Sequence, residues 1–162
     1  MKWTTALLIL VAVIAIPADA KEEWPRDTKF DGPLRFCSNS FAVDVASDEV
    51  ATVRDPGLDF TITYFESGDR WLGVYEGNHP QTTNKKIDPT RLFSDVRVDR
   101  MTDPEGATSY LVFARPDVRL PVLLHIFSNQ FVGTDADKEI LQRFAFGDPA
   151  TTGCADTTYK ES

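Results

Sequence analysis

From residue 58 to residue 64 apolar and polar side chains alternate without a break: Leu58, Phe60, Ile62 and Tyr64 are separated by Asp59, Thr61 and Thr63. Successive side chains of a strand point to opposite faces, so a strict period of two marks a strand with one face buried. Asp55-Pro56-Gly57 forms a turn before this run and Ser67-Gly68-Asp69 a turn after it. Residues 71–76 then return as a second strand, so residues 58–76 are predicted to be a β-hairpin. Its aromatic residues, Phe60, Tyr64, Phe65, Trp71 and Tyr75, suit cross-strand pairing. A lone hairpin is marginal in water, so the remaining chain has to complete a sheet around it.

Further strands are predicted on both sides. Phe41, Val43 and Val45 share a face while Asp44 faces away. Residues 93–98, 108–114 and 120–127 read as three more strands, with Asp103-Pro104-Glu105-Gly106 as a turn. Pro121 places the start of the last one at an edge or a bulge. Residues 77–90 are polar and carry Pro80 and Pro89, which predicts a long loop. One helix follows Thr134, read as its cap, with Asp135 and Asp137 in the first turn. Ile140, Leu141 and Phe144 form its apolar stripe, Glu139 and Arg143 an i,i+4 pair, and Gly147 its end. A helix this short needs a surface to lie on. The predicted fold class is therefore α+β: a mainly antiparallel sheet of about five to seven strands with one C-terminal helix packed on a face. This order of elements, carried by residues 41–45, 59–65 and the helix after Thr134, resembles the layout of the small lumenal accessory domains of the photosystem oxygen-evolving complex. The resemblance concerns layout and implies no activity.

The beginning of the chain reads differently. Lys2 is followed by an apolar run over residues 6–16, a break at Pro17, and Ala18-Asp19-Ala20. That is the pattern of a secretory signal cleaved after Ala20. The run is too short for a spanning helix, which needs about 20 apolar residues. Cleavage leaves 142 of the 162 residues, one domain's worth. Residues 1–20 are thus expected to be signal, 21–36 an extended leader, 37–154 a single α+β domain and 155–162 a frayed tail. The expected location is the periplasm or the extracellular medium, with no stable membrane insertion after cleavage. Two cysteines, Cys37 and Cys154, in an oxidising compartment predict one disulfide. The net charge of -8 repels phosphate backbones and anionic lipid, which argues against nucleic acid as a partner.

The segment from Gly73 to Pro80 carries the most chemistry. Glu76, Asn78 and His79 offer a carboxylate, an amide and an imidazole within four residues, fit for acid–base work or metal ligation. The same residues also make an ordinary structural turn, in which Gly77 and Asn78 tolerate unusual backbone and Pro80 fixes the exit. His125 sits in an apolar strand; it reads either as a satisfied half-buried imidazole or as a second histidine joining His79. No Gly-x-Ser-x-Gly, phosphate-cradling loop or dinucleotide fingerprint occurs, and Asp135-Ala136-Asp137 lacks the glycine and closing glutamate of a calcium loop. No catalytic residue and no cofactor is therefore assigned, and His79 and His125 are the only candidates for a metal. Trp71, Tyr75, Glu76, Asn78 and His79 are the candidate binding residues. The expected role is a non-enzymatic, monomeric accessory or binding module that recognises a protein or an envelope component. The alternatives are a metal-dependent or acid–base enzyme centred on Glu76, His79 and His125, and a secreted inhibitor using the 77–90 loop.

Overall fold

The computed structural model describes residues 27–56, 59–90, 92–115 and 122–154, with the side chain of Thr134 left aside. The segment 1–20 read as a signal, Trp24, Leu58, Pro116, Pro121 and the tail 155–162 lie outside the described residues. Among the described residues eleven strands and one short helix follow in the order β1 (Thr28–Asp31), β2 (Leu34–Cys37), β3 (Phe41–Val45), β4 (Val50–Arg54), β5 (Phe60–Ser67), β6 (Arg70–Gly77), β7 (Lys86–Thr90), β8 (Val98–Thr102), β9 (Thr108–Arg115), β10 (Val122–Ser128), α1 (Thr134–Leu141) and β11 (Phe144–Phe146). They form an eight-stranded sheet, β1-β4-β5-β6-β10-β9-β8-β7, and a three-stranded sheet, β11-β3-β2. Every pairing is antiparallel.

The chain changes sheets twice near its start. It leaves β1 through a cis Gly32-Pro33 peptide, makes the β2–β3 hairpin of the small sheet, and re-enters the large sheet at β4. The two backbones cross so closely that a Cβ on Gly32 would stand 1.8 Å from the Ala46 carbonyl oxygen. Gly32 N–H donates to the Glu49 carbonyl at 3.0 Å across the same crossing. Strands β4, β5 and β6 run as a meander, and the excursion after Gly77 carries the chain out to the β7 edge. Strands β7 to β10 return as a second meander, and β10 pairs with β6 at the centre.

The core lies between the sheets. Phe65, Leu72, Val74, Val112, Leu124 and Ile126 point inward from the large sheet, and Phe36, Phe41, Val43, Val45 and Phe144 from the small one. Rings meet edge-on across this gap, Phe36 and Phe65 at 5.5 Å and Phe65 and Phe144 at 6.2 Å between centroids. Cys37 and Cys154 are joined by a disulfide that fastens the C-terminal segment to the edge of the small sheet, with a Cα–Cα distance of 5.9 Å.

The strand count exceeds the five to seven expected from the pattern. The segment before Cys37 supplies β1 and β2, residues 50–54 supply β4, and the supposed loop 77–90 contains β7, whose alternation is masked by Pro89. The strand expected at 93–98 begins instead at Val98, because residues 92–97 turn Leu92, Phe93 and Val96 against the core irregularly. The helix ends at Leu141, and Phe144 lies on β11 rather than on the helical stripe. A spacing of three or two from its apolar neighbours fits either element; contact with Phe41 and Phe65 across the core decides for the strand. Arg143 accordingly reaches the Glu49 carboxylate and the Asp44 carbonyl instead of Glu139. The N-cap is Gly133, which has no side chain to offer. The fully buried Asp137 carboxylate instead fixes the approach to the helix: it accepts from the Val132 and Gly133 N–H groups, which precede the first turn, at 2.9 and 3.0 Å and from the Tyr110 hydroxyl at 2.7 Å.

Candidate functional site

The centre of the large sheet presents two unlike faces. On β6, Leu72, Val74 and Glu76 point toward the core, so Trp71, Gly73, Tyr75 and Gly77 point outward. On β10, Leu124 and Ile126 point inward, so His125 and Phe127 point outward. The register places Glu76 beside Leu124 and Tyr75 beside His125. Glu76 and His125 are therefore on opposite sides of the sheet. Backbone separates the two groups on which acid–base or metal chemistry at Glu76, His79 and His125 would depend.

The outer face is aromatic where an antiparallel sheet facing water normally alternates to polar residues. Across the register Phe60 of β5 faces Gly77 of β6, Ile62 faces Tyr75 and Tyr64 faces Gly73, which in turn faces Phe127 of β10; with Trp71 these side chains share the outer face and are half-buried. Two glycines let the rings lie down on the sheet. A Cβ on Gly73 would stand 2.4 Å from the Phe127 ring, and one on Gly77 would stand 2.6 Å from the Tyr75 hydroxyl. Phe60 and Tyr75 stack at 5.3 Å, while Tyr64 and Trp71 meet Phe127 edge-on at 6.2 and 6.0 Å. The Arg54 guanidinium lies 5.6 Å from the Tyr64 ring centre and pairs with both oxygens of Asp27. Of the expected binding residues, Trp71 and Tyr75 belong to this face. His79 is exposed at its margin, where its backbone N–H donates to the Tyr75 hydroxyl at 3.2 Å.

His125 is 8% exposed and touches Phe127 at 5.4 Å between rings. Its Nε2 is buried with no hydrogen-bond partner. Burial, helped by the positive charge of Lys85, pulls its pKa down from 6.5 to about 4, so the imidazole is neutral near pH 7. An orphaned buried nitrogen differs from the satisfied imidazole that is the ordinary expectation. Among the described residues no three histidine, cysteine or acidic side chains converge to hold a metal.

Glu76 lies on the inner face, at the end of the sandwich where the β2–β3 turn meets the large sheet. Burial pushes its carboxyl above the usual carboxylate range; the Ser40 and Ser38 hydroxyls and then Arg115 pull it partly back. Those hydroxyls favour the charged form without completing a bond to Oε1, which is buried and unpartnered, as are Ser40 Oγ and Asn78 Oδ1. Glu76, read from the sequence as a companion of His79, thus points to the inner side of the sheet, away from the outer face.

Sequence reasoning missed Phe60, Tyr64 and Phe127 as a set, and Ser38 and Ser40 as neighbours of Glu76. Alternation had marked Phe60 and Tyr64 as the buried side of their strand; the structure turns that side outward and buries Thr63 and Phe65. The serines carry no such signal. Comparison with protein families, with characterised proteins and with solved structures finds no match for this chain.

Proposed function

We propose that this chain is an exported, non-enzymatic binding module that recognises a protein or an envelope component through the outer aromatic face of β5, β6 and β10. The observation that carries the reading is the row of Phe60, Tyr64, Trp71, Tyr75 and Phe127 on one sheet face, flattened over Gly73 and Gly77. Aromatic side chains supply large, rigid contact area and dominate binding energy at interfaces. A contiguous apolar patch rimmed by polar groups is a common mark of a binding surface. Export is supported by the hydrophobic leader of the sequence and by the Cys37–Cys154 disulfide, which persists in an oxidising compartment. The opposed directions of Glu76 and His125 give no support to an enzyme built on them.

The test is a binding measurement on the mature domain. A partner recovered from envelope extract is identified and its affinity measured for the native protein and for Trp71→Ala and Tyr64→Ala. Each variant is expected to weaken binding about tenfold or more, the loss typical of a central aromatic contact, with little change in melting temperature. Equal affinity for the native protein and both folded variants would place the recognition surface elsewhere.

A further inference from the structure

We propose that the free edge of β7 is a self-pairing surface: two copies of this chain join antiparallel through Ile87, with Lys86 of each opposite Asp88 of the other, so that two eight-stranded sheets meet edge to edge. Self-pairing here is independent of what the outer aromatic face binds.

Strand β7 ends the large sheet. Hydrogen bonds one strand further in decide which of its backbone groups face the open side. Phe113 N–H donates to the Arg97 carbonyl at 3.0 Å, so the Arg97 backbone points at β9. N–H and C=O groups alternate sides from one residue to the next, so those of Val98, Arg100 and Thr102 point at β7. The Val98 carbonyl does so visibly, accepting from the Thr90 hydroxyl at 2.8 Å. The register sets Thr90, Asp88 and Lys86 against those three residues, which leaves the backbone groups of Ile87 and Pro89 on the open edge. Pro89 has no N–H to satisfy there. Lys85 N–H, just before the strand, is taken by the Thr82 carbonyl at 3.2 Å. Ile87 thus carries the one N–H of β7 that faces outward, beside its own carbonyl, and neither is paired on that side among the described residues. Its side chain is 43% exposed, and only Val132 shares that condition among the described large apolar residues.

A donor and an acceptor on one edge residue are both satisfied by the same residue of a second copy. In an antiparallel pair centred on Ile87, each Ile87 N–H donates to the other Ile87 carbonyl, and the two exposed side chains meet on one face. Lys86 and Asp88 share the other face, where they pair within the chain at 3.0 Å and stay accessible. The same centre puts Lys86 of each copy directly across from Asp88 of the other. Opposite charges across strands are favourable and like charges unfavourable. Moving the centre to Asp88 would set Asp88 against Asp88, and moving it to Lys86 would set Lys86 against Lys86, so charge selects the register. Lysine and proline usually guard an edge against pairing. Here the lysine is matched by Asp88, and Pro89 lies outside the central pair. The contact is small and each chain carries a net charge of -8, so the expected dissociation constant is on the order of 1 mM.

Sedimentation equilibrium and amide hydrogen exchange test this on the mature, disulfide-bonded protein at concentrations up to about 1 mM. The native protein is expected to form dimers. Exchange at the Ile87 amide should slow as concentration rises, while exchange at Asp88, whose N–H already faces β8, should not change. Lys86→Glu and Asp88→Lys, both at accessible side chains, each set like charges across the two-fold axis and are each expected to weaken association about tenfold. Mixed in equal amounts, the two variants again bring opposite charges together at both places, so the mixture is expected to recover native association as a heterodimer. A native protein that stays monomeric at the highest concentration would overturn the proposal. So would single variants that associate as well as the native protein, or dimers that leave Ile87 exchange unaltered, because another surface would then be in use. A mixture no stronger than its components would refute the register.

Discussion

His125 should make this fold sensitive to acid. His125 is 8% exposed, and its folded-state pKa lies at about 4 against 6.5 when free. Between those values the unfolded chain binds a proton that the folded chain refuses, so stability falls as pH drops through that window and is untouched above it. The displacement of 2.5 units, at 1.36 kcal/mol per unit, sets a ceiling of about 3.4 kcal/mol. Down to pH 4, where half of the folded imidazoles are still neutral, the loss amounts to about 3 kcal/mol. The perturbation is His125→Leu, which removes both the proton site and the unpartnered Nε2 while keeping an apolar side chain against Phe127. Urea unfolding of the oxidised protein at pH 7, 6, 5 and 4 measures the effect. The native protein should lose about 3 kcal/mol more than the variant across that series, and at pH 7 the variant should be as stable as the native protein or nearly so. Parallel pH dependences would refute the argument, because the imidazole would then be solvated or paired in the folded state.

Three further outcomes are expected. Replacing both Cys37 and Cys154 by alanine opens a loop of 117 residues in sequence separation and should cost up to about 5 kcal/mol by the chain-entropy account, read as a lower urea midpoint. Gly32→Ala places a methyl group 1.8 Å from the Ala46 carbonyl oxygen, so a backbone crossing must open; thermal melting should show a loss of about 3 kcal/mol or more. Tyr110→Phe removes the hydroxyl that donates to the buried Asp137 carboxylate and should cost about 1.5–3 kcal/mol in urea unfolding, with exchange protection falling first at the Val132 and Gly133 amides.

The central hairpin was legible as two strands and a turn. Alternation from Phe60 to Tyr64 and the Ser67-Gly68-Asp69 turn predict β5 and β6, and the register pairs Ser67 with Arg70 across that turn; the buried face was not legible, because Phe60, Ile62 and Tyr64 lie half-buried on the outer side while Thr63 and Phe65 are buried. Strands β3, β9 and β10 were legible for the same reason, and so was the existence of a helix after Gly133. The partnership of Cys37 with Cys154 follows from there being only two cysteines. These are properties of local period and composition, which a chain carries whatever its neighbours do.

Other features needed the folded chain. Phe144 satisfies a helical and an extended spacing equally, and only contact with Phe41 and Phe65 selects the strand. Residues 28–37 look like a polar leader because β1 lies at a sheet edge and β2 crosses to the other sheet, so neither needs a long apolar face. Most telling is the 73–80 segment. Glu76, Asn78 and His79 are neighbours in the chain, yet strand alternation and the pairing of β6 with β10 send Glu76 to the inter-sheet seam while Tyr75 and His125 go to the opposite face. Sequence determines which side chains share a strand face. Which side of the sheet meets a second sheet, and which meets a partner or water, is decided by packing between elements far apart in the chain, because burial is a property of the assembled layers rather than of any one strand.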